Sequence, residues 1–157
     1  MEIRRFRPED AQETAQVVIT TLRVSNSKDY PPEYIDYNVA SHSPEVLLKR
    51  AEEGHMYVVC DGSRIVGCGA IAPYWGSETE SILLTIFVLP EYQGKGVGRL
   101  IIETLEQDEY FLRADRIEIP ASITGVEFYK KMGYGYKNGI EELEDGVMYR
   151  MEKFRGR

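Results

Sequence analysis

The residues of this chain best suited to chemistry lie in Val88-Leu89-Pro90-Glu91-Tyr92-Gln93-Gly94-Lys95-Gly96-Val97-Gly98-Arg99. There an apolar, strand-like run stops at a proline, and the chain re-emerges through alternating glycines as an amphipathic helix. A strand that ends in a glycine-rich turn and feeds a helix presents several unpaired backbone N–H groups at the positive end of a helix dipole, which is a seat for a phosphate. Lys95 and Arg99 add positive side chains at the same place. The spacing excludes a P-loop, because Gly94-Lys95-Gly96 puts glycine where that loop needs serine or threonine after its lysine. It also disfavours a dinucleotide fingerprint: Arg99 stands where the third glycine belongs, and no acid suited to a ribose ends a strand about twenty residues on. Two readings remain. One is a pyrophosphate loop of the form Gln/Arg-x-x-Gly-x-Gly/Ala, which Gln93 to Gly98 matches at each fixed position; the other is a glycine turn without a ligand.

The rest of the chain must hold this loop. At 157 residues it has the length of one ordinary domain, which buries about 70% of its unfolded surface, and residues 1–157 read as a single domain. Its 43% hydrophobic and 29% charged residues, without repeats or low-complexity tracts, are ordinary globular composition. A net charge of −7 with scattered Lys and Arg argues against a nucleic-acid partner. It also means that a polyanionic ligand must be held by local features against the overall field. Met1 to Pro8 turns polar before a signal-peptide core forms, and no apolar run approaches the roughly 20 residues that span a bilayer; the expectation is a cytoplasmic protein with no membrane partner. Cys60, Cys68, His42 and His55 fall at no metal-ligand spacing, so no metal is expected. Both cysteines read as core residues on paired strands, too offset for a disulfide.

Periodicity places the elements. Ile3 to Phe6 alternates as a short strand, and Pro8-Glu9-Asp10 opens a helix whose inward stripe runs Ala11, Thr14, Ala15, Val18, Ile19, Leu22. Glu33 to Ala40 reads as a second helix, and Ser43-Pro44-Glu45 opens a third to about Glu53 with Val46, Leu47 and Ala51 inward. Met56 to Cys60 and Arg64 to Pro73 flank the turn Asp61-Gly62-Ser63, and Glu80 to Leu89 completes a meander. Its nearly unbroken apolar run predicts a central strand covered on both faces. Val97, Leu100, Ile101 and Leu105 then stripe one side of a helix. Arg116 to Pro120 reads as a strand parallel to the preceding one, because a helix joins them. Thr124-Gly125-Val126-Glu127 has the form of a capping box for a short helix ending at Gly133, and Tyr134 to Glu142 with Val147 to Lys153 form a closing hairpin around Asp145-Gly146. The fold class is α/β in the α+β sense: a mixed, mostly antiparallel sheet flanked by helices on both faces.

In this order of elements the sequence resembles the GCN5-related N-acetyltransferase (GNAT) superfamily over nearly its whole length. Gln93 to Gly98 looks like the family's coenzyme A pyrophosphate loop. Ser122-Ile123-Thr124-Gly125-Val126-Glu127-Phe128-Tyr129-Lys130-Lys131-Met132-Gly133-Tyr134 is similar to its Asn-x-x-Ala-x-x-Phe-Tyr-x-x-x-Gly-Phe segment, with Ser122 at the Asn position and Gly125 at the Ala position. The resemblance implies the acyl-CoA N-acyltransferase fold, acetyl-CoA as donor, and two splayed strands between which the pantetheine arm pairs with Ile86, Phe87 and Val88. It further implies that an N–H near Val88 polarises the acetyl carbonyl, that Gln93, Gly94, Lys95, Gly96, Val97, Gly98 and Arg99 cradle the pyrophosphate, and that Ser122 also meets the cofactor. Gln93 stands where many relatives carry arginine, which leaves Lys95 and Arg99 to balance the phosphates.

The implied reaction is attack of a neutral primary amine on a thioester with loss of a thiolate. Tyr129 matches the family's acid; a phenol facing a thiolate is mismatched by about 1.5 pKa units, roughly 2 kcal/mol. The alternative for Tyr129 is a packed helix tyrosine at the pocket edge. Many relatives carry a glutamate base partway along the strand, but Ile82, Leu84 and Thr85 occupy those positions here, so Glu80 is taken as the base, directly or through water, against the alternative of a solvated strand edge. Neither cysteine is placed to reach the thioester, so the expected route is direct transfer in a ternary complex. By family analogy the acceptor is recognised on Asn26 to Tyr37, where Tyr30 and Tyr34 with nearby acids would suit a cationic amine; a polar loop whose tyrosines cap the core is the competing reading. The acceptor stays open among polyamine-like or aminoglycoside-like amines, amino acids, and a peptide or lysine amine. A non-catalytic CoA-binding regulator on the same fold is the alternative function, with a nucleotide-binding module more distant. The closing hairpin leaves an edge at which a homodimer could form.

Overall fold

The computed structural model describes residues 1–156. A seven-stranded sheet runs in the order β1-β2-β3-β4-β5-β7-β6, with β1 Glu2–Arg5, β2 His55–Asp61, β3 Arg64–Pro73, β4 Glu80–Val88, β5 Arg116–Ser122, β6 Gly135–Tyr136 and β7 Met148–Phe154. Neighbours are antiparallel except β4 and β5, which run parallel. The helices are α1 Ala11–Val24, α2 Pro32–Ala40, α3 Pro44–Glu53, α4 Val97–Leu105, α5 Glu109–Leu112 and α6 Val126–Lys131.

Strand alternation divides the helices between the two faces. Ala70 of β3 packs in one cluster with Ala15 of α1 and Leu47 of α3. Its neighbour Gly69 faces the other way, against α4, where an added Cβ would lie 2.5 Å from the Ile101 methyl. Glycine is required there because α4 presses on the strand backbone. Ser43 caps α3 as read from sequence, its hydroxyl accepting the Val46 N–H at 3.3 Å. Cys60 and Cys68 are both buried and unbonded.

Three local expectations are corrected. β4 lies centrally with α1 and α4 packed on its opposite faces, but its cover is incomplete, since buried Ser81, Leu83 and Thr85 alternate with half-buried Ile82, Leu84 and Ile86. Thr124 does not cap α6: Gly125 holds the N-cap position, and the Thr124 hydroxyl donates instead to Asp29 at 2.7 Å. The strand expected from Tyr134 to Glu142 ends after Tyr136, because Asn138 and Gly139 turn left-handed, with φ of 55° and 73°.

β4 and β5 pair at only three positions, Glu80↔Arg116, Ser81↔Ile117 and Ile82↔Glu118, and diverge beyond them. An ionic network staples the paired end. Arg116 donates to Glu80 at 3.0 Å, to Glu152 at 2.7 Å and to Glu118. Glu118, with no exposed surface, also meets Lys137 at 2.9 Å and Arg150 at 2.6 Å. Burial pushes the Glu118 carboxyl up, but hydrogen bonds from Arg116, Lys137 and Arg150 outweigh it and leave its pKa lowered. Removing one member of such a cluster strands the others. Glu118→Ala should therefore cost about 3–5 kcal/mol in urea unfolding at pH 7, whereas Glu80→Gln, at the exposed rim, should cost about 1 kcal/mol or less. Because the folded pKa lies below the ordinary 4.5, the Glu118 contribution is complete above that value and fades as pH falls through the lower one; equal losses in the two variants would contradict this arrangement.

Candidate active site

The divergence of β4 from β5 opens a cleft of about 610 Å³. Its inner wall is shaped by a β-bulge. Cys68 opposes Phe87 and Ala70 opposes Leu84, so β4 spends one residue more than β3 between these pairs. The extra residue falls at Thr85, whose φ of +57° is an uncommon conformation for a β-branched side chain. Strain of this kind persists only where the surroundings hold it. Here the Cys68 thiol donates to the Thr85 carbonyl at 3.2 Å, and Arg50 Nη1 donates to Thr85 Oγ1 at 2.7 Å. Beyond the bulge the Leu89 N–H donates to Val66 of β3 at 2.9 Å. Strand alternation therefore turns the Val88 N–H to the opposite edge, into the cleft.

The glycine loop closes one end. Gly94 and Gly96 have φ of 75° and 84°, and a Cβ added to either would meet nothing within 4 Å. These glycines serve backbone conformation in front of open space. Gly96 caps α4 with no side-chain bond, and the first i→i−4 bond is Leu100 N–H to Gly96 O at 3.0 Å. The N–H groups of the first turn are thereby left for an anion. Gly98 has a packing role in addition: a Cβ there would lie 3.0 Å from the Phe128 ring of α6.

Most of the expected site residues meet in this cleft. Ile86, Phe87, Val88, Gln93, Gly94, Gly96, Gly98, Arg99, Ser122, Tyr129, Tyr30 and Tyr34 all line it. Lys95 and Val97 do not: Lys95 is exposed with its ammonium 5.6 Å from the Tyr92 ring centre, and the Val97 side chain is buried in the core. Gln93 turns away from the loop mouth, donating to Val88 O at 3.0 Å and to Ser25 Oγ at 3.1 Å. Ser122 Oγ accepts the Gly125 N–H at 2.9 Å and keeps its proton free to donate. Glu80 lies apart from these residues, at the paired end of β4 and outside the cleft lining, with its carboxylate engaged by Arg116.

Tyr129 is 8% exposed, and burial pushes its phenol up, with the buried Cys68 thiol adding to the rise. It thus remains a protonated donor at any working pH, and a weaker acid than a free phenol. Burial pushes the Cys68 thiol itself up to about 12, which removes it as a nucleophile. Tyr30 is committed through its hydroxyl, which donates to Val147 O at 2.5 Å and accepts the Ile123 N–H at 2.8 Å. Its ring stacks on Tyr34 with centres 4.7 Å apart. Of the nearby acids, Asp29 accepts from the Thr124 hydroxyl and Asp36 pairs with Arg23, and neither lines the cleft.

Among the cleft residues that the sequence does not announce are His42 and Arg50. Arg50 carried a signal, since it sits at i+4 from Val46 and i+3 from Leu47 and so continues the inward stripe of α3. His42, in the loop before α3, carried none. Its Nδ1 lies 2.8 Å from Asn38 O. A carbonyl only accepts, so Nδ1 bears the proton and Nε2 the lone pair in the neutral ring. The ring packs edge-on against Phe87 at 5.4 Å.

The model of the acetyltransferase (GNAT) domain family matches residues 52–135, more than half of the chain. The uncharacterized N-acetyltransferase YafP of Escherichia coli K12 is 25% identical over 134 residues, spanning 85% of this chain and 81% of its own length. Among solved structures, the PaiA N-acetyltransferase from Thermoplasma acidophilum in complex with coenzyme A is similar with a TM-score of 0.82 at 21% identity, over 98% of each chain. A GCN5-related N-acetyltransferase from Rhodopseudomonas palustris reaches a TM-score of 0.79 at 24% identity, over 98% of this chain and 94% of its own. At these identities the solved structures bear on the fold.

Burial lowers the His42 pKa below its ordinary 6.5, the Asn38 carbonyl raises it, and the Arg50 charge lowers it again. NMR titration of the imidazole protons should accordingly give a midpoint below 6.5 that moves upward in Arg50→Gln; a midpoint at or above 6.5 in the wild type would contradict this environment.

Proposed function

This chain belongs to the GNAT acetyltransferase family, and on that premise we propose that it transfers the acetyl group of acetyl-CoA to a primary amine by direct attack in a ternary complex. The observation that carries the reading is the forked cleft between β4 and β5 with unpaired glycine-loop amides at its mouth. The open space around Gly94 and Gly96 fits a diphosphate seated on main-chain N–H groups, with Arg99 beside it and Lys95 at the exposed rim. The edge of β4 from Ile86 to Val88 pairs with no strand on the cleft side, and apart from Val88 O, which accepts from Thr21 and Gln93, its backbone groups could meet the amides of a pantetheine arm, with an N–H in that stretch polarising the acetyl carbonyl.

The chemistry then falls to two side chains. His42, neutral near pH 7, accepts the proton that the ammonium must lose, in the role the sequence reading gave to Glu80. The freed nitrogen attacks the carbonyl carbon, the C–S bond breaks, Tyr129 gives the departing sulfur a hydrogen bond and its proton, and the second proton that the nitrogen sheds as the amide forms restores the Tyr129 phenol. The raised phenol pKa favours late transfer, coupled to C–S cleavage. The inert Cys68 thiol supports transfer without a covalent acetyl-enzyme.

Thiol release with a panel of amines tests this. Tyr129→Phe should lose about a hundredfold in kcat while CoA still raises the melting temperature. Gly96→Val, which blocks the open space before α4, should abolish that thermal shift. Since His42 titrates below 6.5, kcat/KM should climb as pH rises through its pKa, and this step should vanish in His42→Gln and persist in Glu80→Gln. CoA binding without turnover across the panel would return the chain to a regulatory role.

A further inference from the structure

We infer that the accepted amine belongs to a molecule that also carries a carboxylate, an amino acid in the simplest case, and that Arg50 binds that carboxylate. The inference rests on the transferase reading above and narrows its substrate class.

The first ground is the charge of the cleft. The chain carries 26 acidic residues against 19 basic ones, yet none of the described residues lining the cleft is Asp or Glu, while two are arginines. Arg99 belongs to the phosphate end. Arg50 enters from α3 and reaches the bulge at Thr85, next to the Ile86–Val88 stretch and on its far side from the glycine loop. Its charge is therefore set apart from the donor's phosphates. In the neighbouring wall Asp36 is paired with Arg23 and Asp29 accepts from the Thr124 hydroxyl, and the carboxylates of that segment stand outside the cleft lining.

The second ground is Arg50 itself. Its partner in the cleft is a neutral hydroxyl, and among the described residues no carboxylate comes within ion-pair distance of its guanidinium. Burial lowers its pKa, which measures the cost of holding a cation there. Glu53 offsets part of that cost without forming a contact ion pair, so a half-buried guanidinium still gains from a ligand that brings a carboxylate to it. Its planar fork, with one N–H spent on Thr85, matches a carboxylate in two-point geometry. A carboxylate held at the bulge brings an α-amine to the same place, and the Arg50 charge also disfavours the ammonium form and so promotes the neutral nucleophile.

The full-length protein is assayed with acetyl-CoA and matched pairs, each standard amino acid against the amine lacking its carboxyl group, together with spermidine. At least one amino acid should exceed its decarboxylated partner by about tenfold or more in kcat/KM, and that ratio should approach one in Arg50→Gln and be intermediate in Arg50→Lys. Equal or better turnover of the decarboxylated amines or spermidine overturns the inference, as does a ratio unchanged in Arg50→Gln. Calorimetry of the CoA-loaded wild type with the corresponding N-acetyl amino acids and N-acetyl amines gives a readout free of turnover and of variant folding. Carboxylated ligands binding about tenfold tighter support the inference even if no acetylation is seen, in which case it is the transferase reading that fails; equal binding, or none, overturns the inference even where amines are acetylated.

Discussion

The cleft depends on an interrupted strand pairing. A parallel pair that zipped along its full length would leave no space, and nothing in the apolar character of Ile82 to Val88 prevents it from doing so. What stops it is a contrast in local forces. At one end the buried carboxylate of Glu118 is shared by Arg116, Lys137 and Arg150, which fixes β5 against β4 for three registers. Immediately beyond, the extra residue at Thr85 bends β4 away, while β5 continues to follow β7 through seven paired positions. The open edge of β4 is left with backbone groups to satisfy, and in part the protein does so itself: Thr21 and Gln93 both donate to Val88 O.

The two ends of the cleft differ in how they meet charge. At the glycine loop, main-chain amides and a helix terminus provide partial positive charge with little side-chain entropy to lose. At the bulge, a whole guanidinium is held against a hydroxyl in half-buried surroundings. Between them lie Tyr129 and the aromatic pair Tyr30 and Tyr34. This distribution gives a net-acidic chain a cleft without carboxylates, which its overall composition would not suggest.

Much of this was legible in the sequence, where local rules govern. The helical stripes, the Asp61-Gly62 hairpin and the glycine loop each depend on residues near one another in the chain, and they fall in the structure within a residue or two of the expected bounds. The misses share a different cause. Glu80 resembled a free strand-edge acid because its partner, Arg116, lies thirty-six positions away. Thr124 had the form of a helix cap until Asp29, ninety-five positions distant, competed for its hydroxyl. His42 became chemically relevant only when Phe87 and Arg50 were brought beside it, and α3 was read for its apolar residues alone, which passed over a cation on the same face. Local patterns thus fixed the scaffold, while the ionic and polar partners came from tertiary structure.

The amide of Gln93 has a mechanical consequence. By bracing the end of α1 at Ser25 and the end of β4 at Val88, it anchors the loop to both walls while the cleft is still empty. An arginine committed to phosphate would have to find its pose on each encounter, with loss of rotamer freedom. Here the fold itself orders the amide, so on the proposed reading the loop gives up electrostatic attraction for a phosphate and gains a shape set before binding.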